Sequence, residues 1–278
     1  MTGHSAEELS KKFTEMQDDS EVTAGFMWQK TTRESKKYQL RGEILSFIPV
    51  DKNVEIMLVT ITNTGRMAQT VTPTAAIPLY GRSADNIRDH RHVTSLLHRI
   101  ETTDTGVLVT PTLSFDERGH QVNHMTYYCV GWSGNGEKPV DYPTAEDFVG
   151  EGGNFERPYA IVKNAEGVKA GTKIEGLEAV GGLHFSEITL EPEEECSYLI
   201  FTGITEDIQE IRNLSKTYTT REKVLEELEK TKAYWQEKVN VAYHTGDSDF
   251  NQFMHWVSFQ PILRRIYGCS FLRIMIRK

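Results

Sequence analysis

Val54-Glu55-Ile56-Met57-Leu58-Val59-Thr60-Ile61-Thr62 is the stretch that decides the fold. It is rich in β-branched and apolar residues. It alternates roughly with period two, as side chains do along a strand. Working outward, Tyr38-Gln39-Leu40-Arg41-Gly42-Glu43-Ile44-Leu45-Ser46-Phe47 carries the same alternation. On the other side, Asn63-Thr64-Gly65 is a turn signal, and residues 69–75 continue as a strand.

Further strands are expected at residues 93–101, 106–113, 125–130, 159–162, 184–190 and 197–202. Thr102-Thr103-Asp104-Thr105-Gly106 and Asp116-Glu117-Arg118-Gly119 read as hairpin turns. Short strands with turns at this spacing predict a β-sandwich or barrel. Residues 131–153 read as an irregular Gly- and Pro-rich insertion, with a helical turn at Ala145-Glu146-Asp147-Phe148. The first 27 residues read as a polar leader, in which residues 5–16 could turn once or twice as helix.

Near Thr205 the pattern changes. Thr219-Thr220-Arg221-Glu222 fits a capping box. Val224, Leu225, Leu228, Trp235 and Val239 follow at helical spacing, predicting an amphipathic helix of about six turns. Asp247 is a candidate N-cap for another helix carrying Phe250, Phe253, Met254 and Val257.

Between two apolar segments lies the most charged stretch, LYGRSADNIRDHRHVTSLLHR, residues 79–99. A connection of this kind is either a binding rim or a docking surface. The competing reading is a solvated loop with ion pairs of little energetic weight.

Composition narrows the function classes. The net charge is −9 and the isoelectric point about 5.5. That disfavours nucleic acid and anionic membrane as partners. No apolar run approaches the roughly 20 residues of a spanning helix. The first residues, MTGHSAEELSKKFTEM, lack the apolar core of a signal peptide. Cys129, Cys196 and Cys269 are odd in number and scattered, which predicts neither a disulfide framework nor a zinc site and suits the cytoplasm.

The run 38–47, GRSADNIRDHRHVTSLLHR (81–99), TPTLSFDERGH (110–120), GEGG (150–153) and WVSFQPILRRIYGCSF (256–271) together resemble the N-terminal part of glycoside hydrolase family 94. This is the cellobiose phosphorylase-like group. The wording is nearest to longer members related to 1,2-β-oligoglucan phosphorylase. The resemblance implies a mutarotase-like supersandwich, linker helices, and then an α/α barrel that holds the active site. It implies phosphorolysis of β-gluco-oligosaccharides with inversion, yielding α-glucose 1-phosphate. A carboxylic acid protonates the leaving oxygen while phosphate attacks the opposite face. Inorganic phosphate is the co-substrate, and no metal or organic cofactor is implied.

On this resemblance the chain divides into a leader (1–27), a sandwich (28–204), a helical linker (205–245) and the start of a barrel (246–278). The tail Arg273-Ile274-Met275-Ile276-Arg277-Lys278 departs from the family pattern and reads as a frameshift or early end. The barrel would then be a missing partner, and no residue here inherits the general-acid role. A homodimer stays open.

The substrate-binding or interdomain candidates are Arg88, His90, Arg91, His92, Trp132, Gly152 and Gly153. Guanidinium forks suit phosphate and sugar hydroxyls. Trp132, like Tyr127 and Tyr128, offers a flat face for a sugar ring. The Gly150–Gly153 segment could present backbone N–H groups to an anion, against the reading of a plain turn. His120 and His124 have helical metal-ligand spacing but sit on a turn and a strand start, so no zinc site is expected. The readings left beside the phosphorylase are a stand-alone carbohydrate-binding sandwich and an aldose epimerase-like enzyme, which would need a Glu base and a His acid on one concave sheet.

Overall fold

A computed structural model describes residues 19–81, 94–116, 119–155 and 157–267. The expected helical turns at 5–16 lie outside the described residues. In the first half, the strands are β1 (Asp19–Gly25), β2 (Trp28–Ser35), β3 (Leu40–Phe47), β4 (Val54–Asn63), β5 (Gln69–Val71), β6 (Thr74–Leu79), β7 (Arg99–Thr102), β8 (Gly106–Val109), β9 (Leu113–Asp116) and β10 (Gly119–Val122). Then come β11 (Thr126–Ser133), β12 (Val140–Thr144), α1 (Ala145–Val149), α2 (Tyr159–Lys163), β13 (Lys173–Glu175), β14 (Ala179–His184), β15 (Ile188–Leu190) and β16 (Glu195–Thr205). Three helices follow: α3 (Ile208–Thr217), α4 (Arg221–Lys238) and α5 (Ser248–Tyr267).

The central layer is a nine-stranded sheet in the order β1-β2-β3-β4-β16-β11-β8-β7-β13. Every pairing in it is antiparallel. A three-stranded sheet, β12-β14-β6, covers one face, and helices cover the other. The deciding stretch shows why. Val54, Ile56 and Leu58 of β4 pack in a cluster with Ile211 and Leu214 of α3 and Val224 and Leu228 of α4. Met57, Val59 and Ile61, of opposite parity, pack toward Leu79, Leu183 and Phe185 on the small-sheet side. A strand buried on both faces reads as apolar at nearly every position. β16 repeats the arrangement, with Leu199 and Phe201 toward the helices and Tyr198 and Ile200 toward the small sheet.

Several local expectations change. The sheet begins at β1, inside the stretch read as leader, because residues 19–25 pair in register with β2. Residues 159–162 form helix α2 rather than a strand, with Pro158 before it and Asn164 closing it in the left-handed conformation, φ 46°. Thr94 and Ser95 form a helical turn, and the strand expected over 93–101 starts only at Arg99. The strand expected over 69–75 breaks between β5 and β6, beside Pro73, which has no N–H to donate. The insertion at 131–153 is largely regular, since it holds the end of β11, β12 and α1.

The helical end begins inside the stretch expected as helical linker, with a helix that the spacing did not single out. α3 is capped by Asp207, whose carboxylate accepts from the Gln209 N–H at 2.9 Å. Thr220 occupies the N-cap position of α4, one residue later than the capping-box reading, without a capping hydrogen bond from its side chain, and the helix runs 18 residues, about five turns. Asp247 caps α5 as expected, accepting from the Asp249 and Phe250 N–H groups.

Candidate functional site

The tight turn joining β1 and β2 places two apolar residues, Phe26 and Met27, against the helical end. Met27 takes a positive φ of 61°, and the register Gly25↔Trp28 leaves only Phe26 and Met27 in the loop. The Ile48 N–H donates to the Met27 carbonyl at 3.2 Å, holding the turn to the end of β3. Phe26 stacks on Phe259 with centroids 4.7 Å apart and meets the edge of His255 at 4.9 Å. It also lies parallel to Trp256 at 5.8 Å. Beneath, Trp235 of α4, Val239 just after its end and Phe259 of α5 form a small closed core.

Above this core opens a cleft of about 620 Å³. The hairpin supplies Phe26 and Trp28. α4 supplies Glu229, Lys232 and Gln236, which share one helix face at i, i+3 and i+7. α5 supplies Gln252, His255 and Trp256. The Lys232 ammonium sits 4.7 Å above the Trp28 ring and pairs with Glu229 at 2.8 Å. Trp256 is 43% exposed. A second opening of about 350 Å³ adjoins it, with Trp28 and Trp256 lining both. The volumes fall in the range of ligand clefts, and the lining combines aromatic faces with a few polar heads.

A smaller cavity is lined by described residues from the two ends of the stretch 79–99. His98 is 2% exposed; its Nδ1 lies 3.2 Å from the Leu177 carbonyl, and its Nε2 has no partner among the described residues. Burial lowers its pKa below the usual histidine value and keeps the ring neutral. His98, Ser95 and Tyr80 line a cavity of about 20 Å³, room for roughly one water molecule.

Arg88, His90, Arg91 and His92 lie outside the described residues. Trp132 is inside the core at 4% exposure. Its ring stacks on Phe201 at 4.7 Å, and its Nε1 donates to the Tyr218 carbonyl at 3.0 Å. No face of that indole is open to a sugar, so the stacking role fails. Tyr128 is buried likewise. Gly152 and Gly153 wrap the end of α1. The Gly150 N–H donates to the Glu146 carbonyl and the Gly153 N–H to the Gly150 carbonyl. Those two donors are used internally, closing the end of α1 as a turn. Among the described residues, no three His, Cys, Asp or Glu side chains cluster as metal ligands.

The aromatic cleft escaped sequence reasoning. Phe26, Met27 and Trp28 straddle the boundary drawn between leader and sandwich. Their one local signal is an aromatic-rich run between two polar stretches.

The architecture is mainly β, a nine-stranded antiparallel sheet closed by a smaller sheet on one face and by helices on the other, and it agrees with a β-supersandwich. The supersandwich domain of glycosyl hydrolase family 94 matches residues 9–221, most of the chain, and the protein belongs to that family. A search of curated proteins gives no match. No helix among the described residues is long and apolar enough to cross a membrane.

Proposed function

We propose that this chain serves as the supersandwich and linker of an inverting β-glucoside phosphorylase, acting in the cytoplasm, with a catalytic α/α barrel as its partner. The 1,2-β-oligoglucan phosphorylases are the subgroup proposed. In such an enzyme the acid that protonates the leaving oxygen and the groups that hold phosphate belong to the barrel. The sandwich holds that barrel in place and contributes to its surroundings.

The observation that carries this reading is the apolar stripe on α5. Phe250, Phe253 and Val257 are 46%, 62% and 38% exposed on the helix that follows the matched domain. Contiguous exposed apolar surface marks an interaction site. Phosphate release assays test the reading. The 278-residue chain alone should release no α-glucose 1-phosphate from β-gluco-oligosaccharides and phosphate. It should bind a family 94 barrel supplied as a separate polypeptide. Phosphorolysis by the chain alone, abolished by a substitution within it, would overturn the proposal.

A further inference from the structure

We infer that the cleft between the β1–β2 turn and helices α4 and α5 is a binding site for a neutral gluco-oligosaccharide. Its chemistry is that of a sugar site. A pyranose ring presents axial C–H groups on its faces and hydroxyls around its rim. Aromatic faces suit the first, and side chains that both donate and accept suit the second. Trp256 supplies an indole nearly half exposed, steadied from one side by Phe26. Gln236 and Gln252, from two different helices, line the same opening. Each amide offers two donors and an acceptor, the pattern a vicinal diol requires.

Charge and patterning select among occupants. Among the described residues, Lys232 is the one lysine or arginine lining the 620 Å³ cleft; it is matched by Glu229 at 2.8 Å, and Glu55 lines the adjoining opening. That balance disfavours a phosphate or other anion as the main ligand. An apolar protein segment would seek the stripe of Phe250, Phe253 and Val257, and none of these lines the cleft. α5 therefore carries two surfaces, one apolar and one both aromatic and polar. The two openings that share Trp28 and Trp256 suit an oligomer better than a single sugar. The choice of glucose as the repeating unit rests on the function proposed above; the site itself rests on the cleft.

Titration calorimetry on the full 278-residue chain tests the inference, with cello-, laminari-, sophoro- and malto-oligosaccharides as probes and glucose as the monomer control. At least one oligomer should bind, and more tightly than glucose. Trp256→Ala should weaken that binding at least tenfold at a temperature well below the variant's own midpoint, which the lost packing on Phe26 and Phe259 lowers. Gln236→Ala with Gln252→Ala should weaken it as well, which keeps the test open if Trp256→Ala fails to fold. Binding by none of the four oligomers would overturn the site, as would binding unchanged in both variants. Either result leaves the phosphorolysis and barrel-binding assays unaffected, so the two readings fail separately.

Discussion

The indole of Trp132 donates a 3.0 Å hydrogen bond to the carbonyl of Tyr218, tying β11 to the residue that closes α3. Both partners are buried, and Phe201 stacks between them, 4.7 Å from one ring and 5.6 Å from the other. The bond joins the central sheet to its helical cover. Trp132→Phe keeps much of the packing but strands the Tyr218 carbonyl, and should cost about 1 to 3 kcal/mol. Trp132→Ala adds a cavity and should cost about 3 to 5 kcal/mol. Urea unfolding of both variants measures the difference. Equal and small losses would mean that the helices are held elsewhere.

Asp141 gives the fold a pH dependence. Its side chain is buried on β12 of the small sheet, and Oδ1 has no partner among the described residues. Burial first, and the negative charge of Asp104 second, push its pKa up to about 8 from an ordinary value of 3.8. The folded state therefore holds a proton that the unfolded chain has released. The stability contributed by Asp141 is complete below 3.8, falls as pH rises toward about 8, and levels off above it. Asp141→Asn carries no charge to desolvate. At pH 8 it should be more stable than the native chain by at least about 2 kcal/mol, and it should flatten the slope across that window. Denaturation midpoints at several pH values check this. An unchanged slope in the variant would assign the pH dependence to other groups.

The fold was legible where a strand's surroundings are uniform along its length. β4 and β16 are covered on both faces, so apolar residues occupy both parities; in β4 the period-two alternation is only rough, and its β-branched residues and bounding turn carry the reading. The errors came where local signals compete. Tyr159-Ala160-Ile161-Val162 has β-forming residues, yet Pro158 and Asn164 bracket it as a helix start and a left-handed stop. Those two residues were the available signal. α3 falls within the stretch expected to be helical, and Asp207 as its cap with Ile211 and Leu214 spaced for one buried face are the signals that delimit it. The aromatic cleft was not legible in any window. It exists only because Trp28 pairs with Phe47 across the sheet while Trp256 returns from the far end of the chain.

Gly152 and Gly153 separate the roles of conformation and space in the turn after α1. Gly152 has φ 67° with open surroundings, so Gly152→Ala meets only the left-handed penalty, about 1 to 2 kcal/mol. At Gly153 an added Cβ would lie 1.9 Å from the Val149 carbonyl oxygen, and the backbone must move. Gly153→Ala should therefore destabilise more than Gly152→Ala, by at least about 1 kcal/mol. Thermal midpoints of the two variants decide. The reverse order would show that the turn relaxes freely, and that Gly153 is not there for close approach.

Two phenylalanines on α5 test whether its outer stripe is an interface. Phe259 is 2% exposed, stacked on Phe26 at 4.7 Å and set edge-on to Trp235 at 5.2 Å. Phe253 is 62% exposed. If the stripe serves only contacts outside the fold, the two positions respond oppositely. Phe259→Ala should cost about 3 to 5 kcal/mol through the cavity it leaves. Phe253→Ser should change stability by no more than about 0.5 kcal/mol. It should, however, reduce self-association of the isolated chain and weaken its binding to a barrel domain, because it removes apolar area from the contact. Urea unfolding gives the first comparison and sedimentation velocity the second. If Phe253→Ser destabilises the fold as much as Phe259→Ala, the stripe is an internal strut, and the reading of α5 as a docking helix falls with it.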